Sequence, residues 1–427
     1  MKWVVRKSGL SGSITIPSSK SHTIRALLVG TLAPGTSRIR KPLLTGDGAS
    51  ALGAAQSLGA TTGREGDIFT INGRGEDFDG GAGFFDMGNS GTGTNLFTSA
   101  AALGSKNRRF DGDASLRSRP FRPLLDALVP LGARYSCHRD NGDLPFTICG
   151  PLRGGRTVVS GASSQFLSSL LFSCPLIRRG ETDITVKDIK EIPYVELTLW
   201  WLEKQGITVT YSPDYSTFHV PGDQSYTPFE TTVPADFSSA TFAAVGAALT
   251  GGPVTLHGLD FTDPQGDKGV FDILSAAGAS VDHAEGVTVS LRGTLASSVM
   301  DLDSMPDSLP ALSVLATAME GESRIVNVAH ARIKETDRIA VMRQELSKMG
   351  ASVTETADGL IIRKSDLRGT VVNGHDDHRV VMALALAGCC ARGETIIETA
   401  EAASVTYPTF VHDFRALGAE IEVISEE

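Results

Sequence analysis

Cationic and hydroxyl side chains recur at the predicted beginnings of helices that otherwise carry little charge. The first such helix is entered by PSSKSHTIRAL, which contains Lys20, Ser21 and Arg25. The second is entered by MGNSGTGTN, where Gly91 allows the backbone to approach a ligand closely. Helix N-termini present free N–H groups and a positive dipole end. These segments therefore predict binding of phosphates or carboxylates.

The same pattern continues along the chain, with arginines that suit planar anions and with carboxylates. The further candidates are Ser163, Ser164 and Gln165 in SSQF, Asp307 in MPDS, His378 and Arg379 in DDHR, Arg119 in LRSRP, Tyr194 in PYVEL, and Lys334, Glu335 and Arg338 in RIKETDR. Each alone has an ordinary interpretation, such as a helix cap or a solvated helix face. Their combination at several helix beginnings predicts one anion-seeking site if those ends meet in an interdomain cleft.

Two series of glycines recur at intervals of about 72 residues and indicate an internal repeat. Charged helical segments end at the glycines of the first series, as helices end at C-cap glycines. These glycines are Gly59, Gly132, Gly206, Gly278, Gly350 and Gly418. The second ends helices rich in Ala, Gly and Ser that begin near Ser21, Gly91, Ser164, Ser238, Ser308 and His378. Helices of this second kind are typically buried. The predicted repeat is a strand, a buried helix, a strand, a second helix and a β-hairpin.

A repeat of this length cannot enclose a helix that is buried on all sides, so several repeats must share one core. Three repeats in each core predict an α/β (α+β) protein of two similar domains. Each domain would contain three βαβαββ units, and the active site would lie in the interdomain cleft. The alternative is a solenoid, whose repeats are usually shorter and whose helices are less uniformly buried.

Composition restricts the class of protein further. The chain has 427 residues, 41% apolar and 21% charged, and a net charge of −10, which argues against general nucleic-acid binding. Neither a membrane-spanning apolar run nor a signal peptide is predicted. The five cysteines, Cys137, Cys149, Cys174, Cys389 and Cys390, form no CxxC pair or metal spacing. We therefore expect a cytoplasmic protein with neither a membrane partner nor a nucleic-acid partner.

The sequence resembles the 5-enolpyruvylshikimate-3-phosphate synthase family, the 3-phosphoshikimate 1-carboxyvinyltransferases, over its whole length. The motifs that carry the resemblance are PSSKSHTIRAL, GNSGT, GDASLRSRP, SSQFLSSLL, MPDS, RIKETDRI and DDHRVVMALALAG. The related UDP-N-acetylglucosamine enolpyruvyl transferases share the architecture. They would show a lysine–asparagine pair near the start and a cysteine-bearing loop near GDASLRSRP, and this sequence has neither.

The resemblance implies a domain of residues 17–232 that binds shikimate 3-phosphate. Residues 1–16 and 233–427 would form the second, discontinuous domain. The implied reaction is enolpyruvyl transfer from phosphoenolpyruvate to the 5-hydroxyl of shikimate 3-phosphate by addition and elimination. It belongs to the shikimate pathway and to aromatic amino acid and chorismate biosynthesis, and it makes the chain a glyphosate target. No metal or organic cofactor is implied, and a monomer is expected.

The resemblance also implies roles for individual residues. Those expected to act in catalysis are Lys20, Asp307, Glu335 and His378. Those expected to bind shikimate 3-phosphate are Lys20, Ser21, Arg25, Ser163, Ser164, Gln165, Tyr194, Asp307 and Lys334. Those expected to bind phosphoenolpyruvate are Lys20, Gly91, Arg119, Arg338 and Arg379. Asp307 would help deprotonate the 5-hydroxyl, and Glu335 would give and take the methylene proton.

The sequence departs from the family pattern at three positions. A common arginine after GNSGT is replaced by Asn95, and a common lysine near the C-terminal YP is replaced by Ser404 or Val405. A frequent asparagine before KETDR is replaced by His330. These changes remove two cations from the phosphoenolpyruvate side. They motivate two alternatives, a paralogous enzyme acting on another cyclitol or amino-shikimate, and a non-catalytic binding protein that kept the fold.

Overall fold

A computed structural model describes residues 1–138, 143–178 and 180–425 of the chain. The chain divides into two compact units, here called unit 1 and unit 2. Unit 1 consists of Met1–Pro17 and Ala235–Glu427, and unit 2 consists of Ser18–Pro234. Each unit has its own hydrophobic core. No helix among the described residues is long and apolar enough to cross a membrane.

Strands and helices alternate along both units. In chain order the strands are β1 (Lys2–Arg6), β2 (Gly12–Thr15), β3 (Pro34–Arg40), β4 (Thr61–Glu65), β5 (Ile68–Arg74), β6 (Phe84–Asp86), β7 (Arg108–Asp111), β8 (Arg134–Cys137), β9 (Phe146–Cys149), β10 (Gly155–Ser160), β11 (Glu181–Lys187), β12 (Thr210–Tyr211), β13 (Thr217–Pro221), β14 (Glu230–Thr232), β15 (Val254–His257), β16 (Ser280–Asp282), β17 (Val287–Ser290), β18 (Val299–Asp301), β19 (Glu322–Val326), β20 (Ser352–Thr356), β21 (Gly359–Arg363), β22 (Val371–Asn373), β23 (Thr395–Glu398) and β24 (Glu420–Ile424). The α-helices are α1 (Lys20–Leu32), α2 (Asp47–Ser57), α3 (Gly91–Ala101), α4 (Arg122–Leu128), α5 (Ser164–Ser173), α6 (Ile192–Lys204), α7 (Phe237–Thr250), α8 (Gly269–Ala276), α9 (Leu309–Ala318), α10 (Arg338–Lys348), α11 (His378–Cys390) and α12 (Phe410–Ala416).

The strands form small four-stranded sheets with one recurring order. In unit 2 the orders are β6-β7-β9-β8, β10-β11-β13-β12 and β14-β3-β5-β4. In each sheet the first two strands are parallel and the last strands form an antiparallel hairpin. Unit 1 repeats the pattern in β18-β19-β21-β20 and in β16-β17-β15-β2. The predicted α/β class and the βαβαββ repeat are therefore confirmed.

Strands distant in sequence complete three sheets, one of which is the remaining sheet of unit 1, β22-β23-β1-β24. The first repeat of unit 2 takes its leading strand from β14, which pairs in parallel with β3. In unit 1, β2 pairs in parallel with β15, and β1 lies between β23 and β24. These pairings join the beginning of each unit to residues more than a hundred positions away, so unit 2 needs the end of its own segment and unit 1 needs both of its segments before their sheets are complete.

The first helix of each repeat is buried, as predicted for helices of small residues. In unit 2 these helices are α1, α3 and α5, and in unit 1 they are α7, α9 and α11. Several of their hydroxyl side chains donate hydrogen bonds inside the same helix. Thr94 and Thr98, for example, donate to carbonyls one turn earlier at 2.7 Å. Separate polar side chains accept from free N–H groups at the N-termini of α1, α3, α5, α7 and α11.

A buried carboxylate holds the segment that leads into α11. Glu345, on α10, accepts hydrogen bonds from Lys348 Nζ at 2.7 Å, His375 Nε2 at 2.9 Å and the Asn373 N–H at 3.0 Å. Burial favours a higher pKa for Glu345, but the hydrogen bonds from His375 and Lys348 outweigh it and lower the pKa to about 2. The ionised carboxylate therefore stabilises the folded chain.

Glu345→Gln should lower the free energy of unfolding at pH 7 by about 2 kcal/mol, a loss limited by solvent screening of the partly exposed Lys348 and His375. The pKa of Glu345 in the folded chain lies below its ordinary value, so the wild-type chain has its full advantage in stability at pH values above that ordinary value. The advantage in stability should shrink as the pH falls from there toward 2. Urea unfolding at several pH values measures the difference. Glu420→Gln, at an exposed position of β24, is the control and should change little. If wild type and Glu345→Gln differed in stability by the same amount at every pH, an ionised, stabilising Glu345 would be contradicted.

Candidate active site

The N-terminus of α1 brings a lysine and a carboxylate into a buried pair. Ser19 caps the helix, and Lys20 is its first residue. Lys20 Nζ lies 3.2 Å from Oδ2 of Asp47, which begins α2. Both side chains are largely buried, so water screens the attraction between their opposite charges only weakly. Asp47 was not among the residues predicted from the sequence.

Arg25 is a buried cation one turn further along α1, and its side chain is 1% exposed. Its guanidinium donates to Thr198 Oγ1 at 3.1 Å, to the Tyr194 carbonyl at 3.1 Å and to the Ser21 carbonyl at 3.1 Å. All three acceptors are uncharged, and no carboxylate within the described part of the chain pairs with this guanidinium. Burial lowers the pKa of Arg25 to about 10. An external anion beside it would relieve that cost.

At the N-terminus of α3, a missing side chain makes room for an arginine. Gly91 is the first helical residue after the cap Ser90, whose hydroxyl accepts from the Gly93 N–H at 3.1 Å. A Cβ atom on Gly91 would lie 2.6 Å from Nη1 of Arg119. Arg119 in turn donates to Oδ1 of Asn89. The structure thus places the predicted residues Gly91 and Arg119 side by side at one helix N-terminus.

The N-terminus of α5 is joined to α3 by side-chain hydrogen bonds. Ser163 caps α5 and accepts from the Gln165 N–H at 3.3 Å. Gln165 Nε2 donates to Thr92 Oγ1 at 3.1 Å, and its Oε1 accepts from Asn95 Nδ2 at 2.8 Å. Asn95 therefore contributes an amide that orients Gln165 and adds no charge.

A carboxylate that sequence analysis missed also lies at α5. Glu191 Oε2 accepts from Ser164 Oγ at 2.7 Å and from the Ser164 N–H at 3.1 Å. Glu191 comes three residues before Tyr194, in KEIPYVEL, and directly precedes α6. Glutamate is not a preferred helix cap. Nothing in the sequence therefore indicated that it would lie at another helix's N-terminus.

In unit 1, two arginines hold the predicted acid–base residue Asp307. Oδ1 of Asp307 accepts from Arg338 Nη1 at 2.7 Å, and Oδ2 accepts from Arg379 Nη2 at 2.7 Å. Asp307 lies in a short 3-10 turn, Pro306–Ser308, directly before α9. Arg338 begins α10, and Arg379 is the second residue of α11. Three helix beginnings of this unit thus converge on one carboxylate.

Arg338 connects that carboxylate to a second acid–base residue. Its Nη2 donates to Glu335 Oε2 at 2.6 Å, and its Nε donates to Asp377 Oδ2 at 2.8 Å. Burial favours a lower pKa for Arg338, but Asp377, Glu335 and Asp307 raise it well above its ordinary value. The guanidinium remains charged and holds Asp307 and Glu335 on its two terminal nitrogens.

The remaining predicted residues of unit 1 lie beside this cluster in sequence. Lys334 is half-buried and directly precedes Glu335. His378 is buried as the first residue of α11, after the cap Asp377. Asp267, which was not predicted, accepts from Ser308 Oγ at 2.5 Å and from Ser238 Oγ at 2.7 Å. Burial and the charge of nearby Asp307 raise the pKa of Asp267.

The two units therefore carry complementary chemistry. Unit 2 places buried cations and hydroxyl side chains at helix N-termini, which suits phosphate and carboxylate groups. Unit 1 holds three carboxylates on a single guanidinium, two of them the predicted acid–base residues Asp307 and Glu335, which suits proton transfer beside an anion. Such a fold and such sites define an enzyme that acts on small anionic molecules.

Comparison with known proteins gives the family. The EPSP synthase family, described as 3-phosphoshikimate 1-carboxyvinyltransferase, matches residues 4–414. The chain is 47% identical to the 3-phosphoshikimate 1-carboxyvinyltransferase of Acetivibrio thermocellus, over 98% of both chains. It is 46% identical to that of Ruminiclostridium cellulolyticum, over 98% of this chain and 99% of the relative. The chain belongs to the EPSP synthase family, and the resemblance inferred from its motifs is confirmed.

A solved structure agrees with this assignment. The EPSP synthase from Acinetobacter baumannii superposes with a TM-score of 0.79 at 29% sequence identity. The match covers 99% of this chain and 100% of the other. The repeating architecture is thus shared over the full length of the chain.

Proposed function

We propose that the residue clusters of units 1 and 2 carry out the reaction of the EPSP synthase family in this chain. That reaction transfers the enolpyruvyl group of phosphoenolpyruvate to the 5-hydroxyl of shikimate 3-phosphate and releases phosphate. The observation that carries the proposal is the placement of Asp307 and Glu335 on one buried guanidinium, that of Arg338. The reaction needs two proton-transfer groups, and this arrangement provides both.

The chemistry proceeds by addition and elimination. In the addition, C2 of phosphoenolpyruvate bonds to the 5-oxygen of the acceptor while C3 takes up a proton, giving a tetrahedral intermediate. In the elimination, C3 loses a proton and the C2–O bond to phosphate breaks. One group must therefore accept the hydroxyl proton, and another must give and then take the C3 proton.

The carboxylates of unit 1 suit these two tasks. Asp307 would accept the proton of the 5-hydroxyl, and its two bonds to Arg338 and Arg379 fix its orientation. Glu335 would serve the C3 methylene group, and Lys20 would also act in catalysis. His378 would support this site from the start of α11. The arginines would also stabilise the negative charge that develops on the departing phosphate.

The acceptor would bind to unit 2. Its phosphate would contact Ser163 and Ser164 at the N-terminus of α5, with Ser21 and Arg25 nearby. Arg25 supports this placement because its buried charge has uncharged partners only, within the described residues. Gln165 and Tyr194 would contact the ring, and Lys20, Asp307 and Lys334 would complete the acceptor site.

Phosphoenolpyruvate would be held mainly by cationic side chains. The residues proposed to bind it are Lys20, Gly91, Arg119, Arg338 and Arg379. Asn95 contributes an amide where many relatives have a cation, so we expect weaker binding of phosphoenolpyruvate and of glyphosate than in those relatives. We also expect the chain to act as a monomer in the cytoplasm, without a cofactor.

Asp307→Asn should abolish most phosphate release from phosphoenolpyruvate because the amide cannot accept the hydroxyl proton. We expect kcat to fall by about a hundredfold or more, while the wild-type chain releases phosphate only when shikimate 3-phosphate is present. Asp301→Asn, an exposed change on β18, is the control and should retain full activity. An active Asp307→Asn enzyme would show that another group is the base.

Gly91→Ala should raise the KM for phosphoenolpyruvate because the added methyl group would displace the guanidinium of Arg119. We expect an increase of about tenfold or more, the loss of one charge-assisted contact, with a smaller change in the KM for shikimate 3-phosphate. Gly53→Ala is the matched control, because a Cβ there meets no atom within 4 Å. An unchanged KM for phosphoenolpyruvate in Gly91→Ala would remove Arg119 from the proposed site.

A further inference from the structure

The N-terminus of α5 already has an anionic ligand from within the chain. The Glu191 side chain is 1% exposed. One of its oxygens, Oε2, accepts both the Ser164 hydroxyl at 2.7 Å and the Ser164 N–H at 3.1 Å. Ser164 is the first residue of α5 and is itself buried. The carboxylate therefore lies at the positive end of a buried helix.

Glu191 binds the N-terminus of α5 although it stands where it could cap α6. It is the residue that precedes α6, yet its side chain makes no cap to α6. Its φ angle is +56°, in the left-handed region that side chains other than those of Gly and Asn rarely adopt. The chain thus accepts an unfavourable backbone conformation at the residue whose carboxylate binds α5.

The same two donors are the ones that the acceptor's phosphate would use. A phosphate carries up to two negative charges and seeks N–H and hydroxyl donors at a helix N-terminus. A carboxylate and a phosphate on the same donors would repel each other strongly where water is scarce. Only one of the two anions can therefore hold Ser164 at a time.

We propose that Glu191 sets the affinity for the acceptor by competing with the acceptor's phosphate for Ser164. The carboxylate leaves the N-terminus of α5 when the phosphate binds, and it returns when the product dissociates. Glu191 is then a residue that tunes affinity: its charge weakens acceptor binding, and it takes no part in proton transfer. This inference rests on the proposed binding of shikimate 3-phosphate at Ser163 and Ser164.

The test is the affinity of Glu191→Gln for shikimate 3-phosphate, measured by calorimetry and as KM. The amide oxygen can still accept from Ser164, so the cap is kept while the competing charge is removed. The Kd should fall by about tenfold, the factor expected for one charged contact, while kcat and the KM for phosphoenolpyruvate stay the same. Glu196→Gln is the matched control because Glu196 lies on α6, the helix that Glu191 precedes, and accepts from the Tyr215 hydroxyl instead, at 2.9 Å.

The outcomes separate this inference from the proposed function. A wild-type chain that neither binds shikimate 3-phosphate nor releases phosphate with it would overturn the proposed function and the competition together. An active wild-type chain with an unchanged or weaker affinity in Glu191→Gln would overturn the competition alone. If the variant fails to fold, a wild-type structure with shikimate 3-phosphate decides. Glu191 should then lie beyond hydrogen-bonding distance of Ser164, and an intact bond would contradict the inference.

Discussion

The free N–H groups at the N-termini of buried helices must find acceptors, and this requirement organises both units. In unit 1 carboxylates serve as acceptors, since Asp236 caps α7 and Asp377 caps α11. Asp267, a further buried carboxylate, accepts from the hydroxyls of Ser238 and Ser308 beside two helix N-termini. Buried carboxylates in turn require cations, and Arg338 and Arg379 supply them. The charges of the candidate site therefore follow from how the core is capped.

Unit 2 meets the same requirement differently. Ser19, Ser90 and Ser163 cap its buried helices with neutral hydroxyls. Arg25 is consequently left with uncharged partners among the described residues, in contrast to Arg338, which has three carboxylates. This contrast supports the proposed division of labour, in which unit 2 binds the anionic acceptor and unit 1 supplies the groups that move protons. Glu191 is the exception in unit 2, since it brings an internal anion to a helix N-terminus.

Much of the fold could be predicted because repeats leave local signals. Helix-ending glycines and helices of small residues each recur along the chain, and each signal depends only on nearby residues. The strands that complete sheets from far away, such as β14 beside β3, could not be predicted in this way. Their pairing depends on tertiary contacts between short segments that have no distinctive composition.

The same distinction applies to the site. Lys20, Asp307 and Arg338 stand in motifs with unusual charges at helix beginnings, so residue type and position indicated them. Asp267 and Glu191 have equally direct contacts with helix N-termini, but their partners lie 29 or 27 residues away. Only the packing of one helix against another shows these contacts. The departure at Asn95 was visible in sequence, whereas its bond to Gln165 required the structure.

The most direct test of the account follows the proton at C3 of phosphoenolpyruvate. The wild-type chain is incubated in deuterium oxide with phosphoenolpyruvate and shikimate 3-phosphate, and mass spectrometry measures deuterium in the methylene group of the product. Addition and elimination through Glu335 predict deuterium in the wild-type product and a loss of its incorporation in Glu335→Gln. Deuterium incorporation at the wild-type rate in Glu335→Gln would contradict the central claim that this carboxylate, held by Arg338, transfers the proton.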